Sequence, residues 1–239
     1  MKKPSFVVLF FSVVLILMIS FFNQDSISDY LDLYLDDILF LTQEHLVMVA
    51  LSAGGAIVTG VALGILLSRK SMLKFSEPVM QVLNVGTAMP TLAVLALSMS
   101  FFGIGFKPAL FALWLAALLP IVRNTYTGLR AVSVFLLEAA NGMGMRPFHI
   151  LMSVELPNAL FVIFAGIRTA VAINVGTVPL AFLIGGGGLG ELIFTGIDLN
   201  DMEMMLSGAV TVGVLAVLID SLIGRIQYWI VPYGINPLR

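Results

Sequence analysis

Long apolar runs separated by short polar stretches dominate this chain. Six of them reach or approach the roughly 20 residues that cross a bilayer as a helix: about 5–22, 46–67, 79–102, 108–122, 158–185 and 205–224. Period-2 alternation over strand lengths does not recur, which argues against a membrane barrel. The pattern predicts an all-α, polytopic membrane protein of about six transmembrane helices. The fourth run is short, and Pro120 and Arg123 mark its expected end. The first follows Lys2 and Lys3, as a signal peptide would. Its apolar stretch from Phe6 to Phe22 outruns the usual h-region of about 7–15 residues, so it reads as an uncleaved anchor. Between the first two runs lies DYLDLYLDDILFLTQ, where Leu31, Leu33 and Leu35 alternate while Leu31, Leu35, Ile38 and Leu41 form a helical stripe. A short interfacial helix on the outer leaflet is the expectation there. The chain thus divides into an N-terminal anchor with an acidic segment (1–44), a transmembrane domain (45–230) and a C-terminal tail (231–239).

Composition sharpens the class. The chain is 59% hydrophobic and 11% charged, against about 25% charge in a soluble domain. Too little polar surface exists to coat a globule of 239 residues. Cysteine is absent, so no disulfide framework or thiolate metal site is available. Charge placement gives orientation. With both termini cytoplasmic, the inner segments hold Lys2, Lys3, Arg69, Lys70, Lys74, Arg123, Arg130, Arg146, Arg225 and Arg239, ten of the twelve basic residues. The positive-inside rule selects that arrangement. Ten of the fourteen acids then fall outside, among them Asp36, Asp37, Glu44, Asp198, Asp201 and Glu203. They either solvate that face or steer a basic partner.

Several chemistries are excluded. No G-x-x-x-x-G-K-[ST] phosphate loop occurs, so ATP is not bound by that route. Gly185–Gly190 contains G-x-G-x-x-G, but it ends a membrane span and has no strand before it, so it is no dinucleotide site. The glycines suit a tight turn at a helix end. The two histidines, His45 and His149, fall on opposite sides, and both read as surface or interfacial residues; no metal site is expected.

The loop 123–157 is the longest inner segment, and its stretch EAANGMGMRPFHILMSVELP is not a polar linker. Ala139, Ala140, Met143, Met145, Phe148, Ile150, Leu151 and Met152 give it apolar surface. Pro147 interrupts any single helix, so one short helix should end near Gly144–Met145 and a second run toward Glu155. Such a loop either docks a partner or folds back on its own helices. The spacing resembles the EAA signature of ABC-importer permeases: Glu138-Ala139-Ala140, Gly144, Val154 and Leu156-Pro157 all stand at the signature's intervals. The resemblance implies a type I ABC-importer permease fold. It also implies that this loop is a coupling helix docking into a separate ATPase. In that reading Gly144 permits the tight turn, Glu138 and Arg146 orient the loop, and Ala139, Ala140, Met145 and Phe148 fill the partner's groove. ATP and Mg would then sit on the partner, with no cofactor in this chain. Stretches such as RTAVAINVGTVPLAFLIGGGGLGELI and the G-M-G-M run are similar to permeases of osmoprotectant importers, which carry glycine betaine, carnitine, choline or proline.

The phrase NVGT appears twice, at Asn84–Thr87 and Asn174–Thr177, each followed by a proline, Pro90 and Pro179. Helix-weakening residues in hydrocarbon are tolerated only against protein or a wet cavity, and interrupted spans point to transport sites. Asn84, Thr87, Pro90, Asn174, Thr177 and Pro179 therefore either line a translocation path or pack helices closely. By the span boundaries Asn84 lies about 8 Å and Asn174 about 24 Å from the inner ends of their helices, so the copies are not a symmetric pair. Arg168 and Asp220 both fall inside spans, where an unpaired charge is costly; an Arg168–Asp220 ion pair is the expectation, with snorkelling of Arg168 to the inner headgroups as the alternative.

The reading that emerges is the permease subunit of a bacterial or archaeal ABC importer in the cell membrane, working by alternating access. The partners implied are ABC ATPase subunits on the cytoplasmic side, a second permease subunit (identical or paralogous) and a separate extracytoplasmic binding protein, within the lipid bilayer and without nucleic acid. A permease for an amino acid or other small solute, and a stand-alone secondary transporter, are the alternatives.

Overall fold

The computed structural model describes residues 24–235. The first apolar run, 5–22, and the end of the C-terminal tail lie outside the described residues. Nine α-helices form the described part: α1 (Gln24–Ser68), α2 (Leu73–Ala88), α3 (Thr91–Phe102), α4 (Phe106–Arg130), α5 (Val134–Gly142), α6 (Pro147–Ile150), α7 (Leu156–Thr177), α8 (Gly190–Leu199) and α9 (Met202–Ile230). Four stretches are long and apolar enough to cross a membrane: Leu33–Ser68, Phe106–Arg130, Pro147–Ile184 and Met202–Ile230. The α2–α3 pair makes a fifth only if it is taken as one bent span.

Three boundaries differ from the sequence expectation. First, no separate interfacial helix precedes the second run. Residues 24–53 contain neither Gly nor Pro, so nothing stops the helix, and α1 runs unbroken for 45 residues. At 1.5 Å per residue it is about 67 Å long, roughly twice the bilayer core. Second, α4 does not end at Pro120 or Arg123 but continues to Arg130. Ending a helix in hydrocarbon would expose several backbone groups, whereas one proline costs a single hydrogen bond. Third, the run 79–102 is broken: Met89 is extended (φ −73°, ψ 132°) ahead of Pro90, as the proline ring demands of its predecessor. The two halves meet at 98°.

Helix α4 is the centre of the packing, with α1 on one side and α7 on the other. Small residues bring the backbones together, as membrane helix pairs require. Gly60 lies against Ile121, Gly64 against Thr125, and Gly166 of α7 against Asn124 and the Pro120 carbonyl. Trp114 donates from its indole to Thr59 Oγ1 (3.1 Å), tying α4 to α1. The main core gathers Met48, Val49, Ala53, Leu113, Val175, Val178 and Leu189 toward the acid-rich end of the bundle.

At that end the chain turns sharply after span Pro147–Ile184. Gly185, Gly187 and Gly188 all have positive φ (76°, 80° and 83°), which L side chains rarely adopt. A Cβ on Gly187 would stand 2.5 Å from Glu44 Oε2, and that carboxylate accepts the Gly188 amide at 3.0 Å. Thus α1 is fastened to the glycine turn. It is also fastened through Tyr34, whose hydroxyl donates to Asp201 Oδ2 (2.9 Å). The other Asp201 oxygen caps α9, accepting the amides of Glu203 and Met204 at 3.0 Å each.

Candidate functional site

At the basic end, the loop between α4 and α7 forms a helical hairpin. Ser133 precedes α5, and α5 closes with Gly144 at φ 72°. The Gly144 amide reaches the Asn141 carbonyl (2.9 Å) and the Met145 amide the Ala140 carbonyl (3.2 Å), a glycine-terminated turn that satisfies carbonyls left over at the helix end. Pro147 then starts α6, where its missing amide costs nothing. The second arm does not stop at Glu155. It passes through a π-helical turn, Leu151–Glu155, straight into α7. Pro157 lies just beyond this turn and offers no amide to the Ser153 carbonyl, which accounts for the widened coil.

The two faces of this hairpin differ. Ala140, expected to fill a partner's groove, is instead buried with Ile150 where the two arms of the hairpin meet, and Leu151 packs the second arm on Leu129, Ala159 and Ile163 of the bundle. Phe135 (83% exposed), Met143 (73%) and Phe148 (73%) stand out from it, with Val134, Leu136 and Met152 beside them. Glu138, Ala139 and Arg146 share the exposed side, and Met145 is half-buried. Leu156 and Pro157 are half-buried where α7 begins. The loop therefore does both things the sequence allowed: one edge folds back and one apolar surface remains uncovered. Val134, Phe135 and Leu136 were missed by a reading that began at Glu138; the signal was a fully apolar VFLL just ahead of the EAA triplet.

A second missed pair anchors the hairpin. Arg69 follows the last residue of α1, and its NH1 lies 2.7 Å from Glu155 Oε2 in the π turn. The same guanidinium donates through Nε to the Ile65 carbonyl (3.2 Å) and through NH2 to Ser68 Oγ (2.9 Å). One side chain thus caps α1 and grips the arm of the loop. The pairing joins residues 86 apart in sequence, which spacing cannot disclose.

The two NVGT copies occupy unlike places. Asn84 is exposed on α2 close to the Pro90 break, and the side chain of Thr87 lies outside the described residues. Asn174 is buried and donates from Nδ2 to Ser52 Oγ (2.8 Å) on α1, while Thr177 bonds back to the Ile173 carbonyl of its own helix (2.9 Å). Pro179 enters a tightened 3-10 segment, Val178–Ile184, instead of a sharp kink. Having no amide, Pro179 leaves the Val175 carbonyl without its helical donor. His45 faces that carbonyl from α1, although neither ring nitrogen closes a well-aligned bond. His45 is therefore not a surface residue: it is completely buried, whereas His149 is exposed as expected. The continuous α1 carries His45 into the bundle, where the proline break makes room for a polar side chain.

Arg168 and Asp220 meet between α7 and α9. Nε donates to Oδ1 at 2.9 Å and NH2 to Oδ2 at 2.7 Å, the two-pronged geometry that suits guanidinium and carboxylate. Arg168 thus turns across to α9 and does not run out to the headgroups. The pair borders a cavity of about 410 Å³. The aromatic side chains do not converge on it as a group: Phe102, Phe111 and Trp114 form one run (5.1 and 5.7 Å between centroids), and Phe182 stacks on Phe194 at 6.2 Å. Among the described residues no cluster of His, Asp and Glu could hold a metal ion.

The family described as the binding-protein-dependent transport system inner membrane component matches residues 60–232, most of the chain. The chain belongs to this family. Its members are transport permeases, and the loop, the pair and the broken helices are parts of a permease. The permease is 50% identical over 216 residues to osmoprotectant import permease protein OsmY of Salmonella typhimurium, covering 90% of this chain and 92% of that one. It is 39% identical over 203 residues to choline transport system permease protein OpuBB of Bacillus subtilis, covering 85% and 93%. Among solved structures, the MetNI methionine ABC transporter in an inward-facing form matches with a TM-score of 0.74 at 24% identity, covering 82% of the permease and 96% of that chain. The fold is that of type I ABC-importer permeases.

Proposed function

We propose that this permease is the transmembrane subunit of an ATP-driven importer of osmoprotectants: the quaternary amines glycine betaine, carnitine or choline, or the secondary amine proline. The observation that carries the solute class is the 50% identity to an osmoprotectant import permease across nearly the whole of both chains. ATP and Mg belong on ATPase subunits in the cytoplasm, consistent with the missing phosphate loop. The exposed face of Phe135, Met143 and Phe148 suits the groove of such a subunit, since an uncovered apolar patch in water marks a docking surface. Glu138 and Arg146 flank it and orient it. Closure of the ATPase pair would push α5; the push would reach α7 along the continuous backbone and α1 through Arg69–Glu155. A second permease subunit completes the path, a binding protein delivers the solute from outside, and the termini lie in the cytoplasm. Asn84, Thr87, Pro90, Asn174, Thr177 and Pro179 serve this path through its shape: Asn174 by tying α7 to α1, the prolines by breaking helices.

The test is uptake of labelled betaine, carnitine, choline, proline and methionine in a transport-deficient host expressing the complete importer. Uptake of the quaternary amines with ATPase dependence is expected. Uptake of methionine alone would reassign the solute to the amino-acid class. Transport by the permease without any ATPase would sink the coupling reading.

A further inference from the structure

The Arg168–Asp220 pair is placed where a purely structural ion pair is poorly served. Arg168 lies nine residues from the end of α7 and Asp220 ten residues from the end of α9, so each is about 13 Å or more from either end of its helix. Their side chains are nevertheless 35% and 40% exposed in the single chain. Hydrocarbon cannot cover charges at that depth without a large penalty; such groups face a water-filled cavity or protein. The groove beside them, open on one side in the single chain, offers about 410 Å³, within the range of small-molecule sites. Its wall adds Gln227, Thr169, Phe161 and Ala172 to the two charges.

We propose that this cavity is a solute site, taking a compact zwitterion that carries a quaternary ammonium and a carboxylate. The donor arithmetic favours it. A guanidinium has five N–H groups, and Asp220 engages one on Nε and one on NH2. The third contact, NH1 to Gln227 Oε1, is long at 3.5 Å, so NH1 keeps donor capacity for a second carboxylate. A quaternary ammonium has no N–H and is held by charge and by aromatic surface instead. Asp220 supplies the charge, and Phe161 brings a ring to the same wall. One cation and one anion held 2.7 Å apart make the site neutral overall, which lets it accept a neutral zwitterion without leaving a net charge in the membrane.

This inference rests on the osmoprotectant reading, and the experiment separates the two. The whole importer, with its ATPase and binding protein, is expressed in a transport-deficient host. Uptake of labelled glycine betaine and recovery of the permease–ATPase complex are both measured. Failure of the wild type to take up betaine would defeat the functional reading. Given wild-type uptake, the neutral double variant Arg168→Gln/Asp220→Asn removes both charges together. The site reading expects the complex at normal yield with betaine uptake reduced about tenfold or more, the loss of a charge-assisted contact. Normal uptake would overturn it, leaving the pair as helix glue. If the double variant does not assemble, Ala172→Phe fills the cavity without touching the pair. Lost uptake with an intact complex supports the site. Intact uptake overturns it, and so does loss of the complex, which would make this face a contact between permease subunits.

Discussion

Replacing Gly166 by alanine tests whether close backbone approach holds this bundle. The added Cβ would stand 2.5 Å from Asn124 Cβ and 2.8 Å from the Pro120 carbonyl oxygen. Carbon atoms in contact prefer about 3.5–4.0 Å, so α4 and α7 must part by about 1 Å. A gap of 0.5–1 Å forfeits about a quarter to a half of each contact's attraction, and overpacking typically costs about 1–3 kcal/mol. For a chain of this size that is a fall of about 2–10 °C in melting temperature. The assay is thermal unfolding of the detergent-solubilised complex, followed by tryptophan fluorescence. Gly176→Ala and Gly213→Ala are the controls: both lie in helices, and a Cβ at either meets nothing within 4 Å. They should melt with the wild type or slightly above it, because alanine is favoured over glycine in helices by up to about 1 kcal/mol. A Gly166→Ala protein as stable as the controls would refute the close-packing argument.

The Arg69–Glu155 contact should show a coupling energy of about 1 kcal/mol in a double-mutant cycle of Arg69→Ala and Glu155→Ala, given its partial burial; additive losses would remove its role as a tie. Gly144→Asp and Glu138→Lys should each abolish recovery of the ATPase in a pull-down, Gly144→Asp because a side chain at φ 72° strains the turn and adds a charge to the exposed apolar face. Asn174→Ala should weaken the α1–α7 contact by about 0.6 kcal/mol through loss of the Ser52 bond, read in the same melting assay. Asp201 is held below the usual carboxylate value first by the Met204 amide and then by the Tyr34 hydroxyl. Its contribution is therefore present above about pH 4 and lost as pH falls through the lower folded value. Hydrogen exchange at the start of α9 should rise in acid, and Asp201→Ala should erase that dependence.

Much of this protein was legible in its residues because the bilayer imposes a one-dimensional rule. Every backbone group in hydrocarbon must be paired, so apolar length alone forces a helix. The turns of the loop were legible too, since Gly144, Pro147 and Pro157 shape the backbone locally. What lay beyond reach was contact between distant elements. Composition does not say that Arg69 reaches Glu155, that Glu44 closes the Gly188 turn, or that His45 is buried against the carbonyl Pro179 leaves behind. The two NVGT phrases make the point most plainly. Identical letters became an exposed helix end and a buried α1–α7 tie, because α1 covers one copy and not the other. Local sequence chose the helices and their breaks; the packing of α1 and α7 on α4 decided which polar groups faced protein and which faced the cavity.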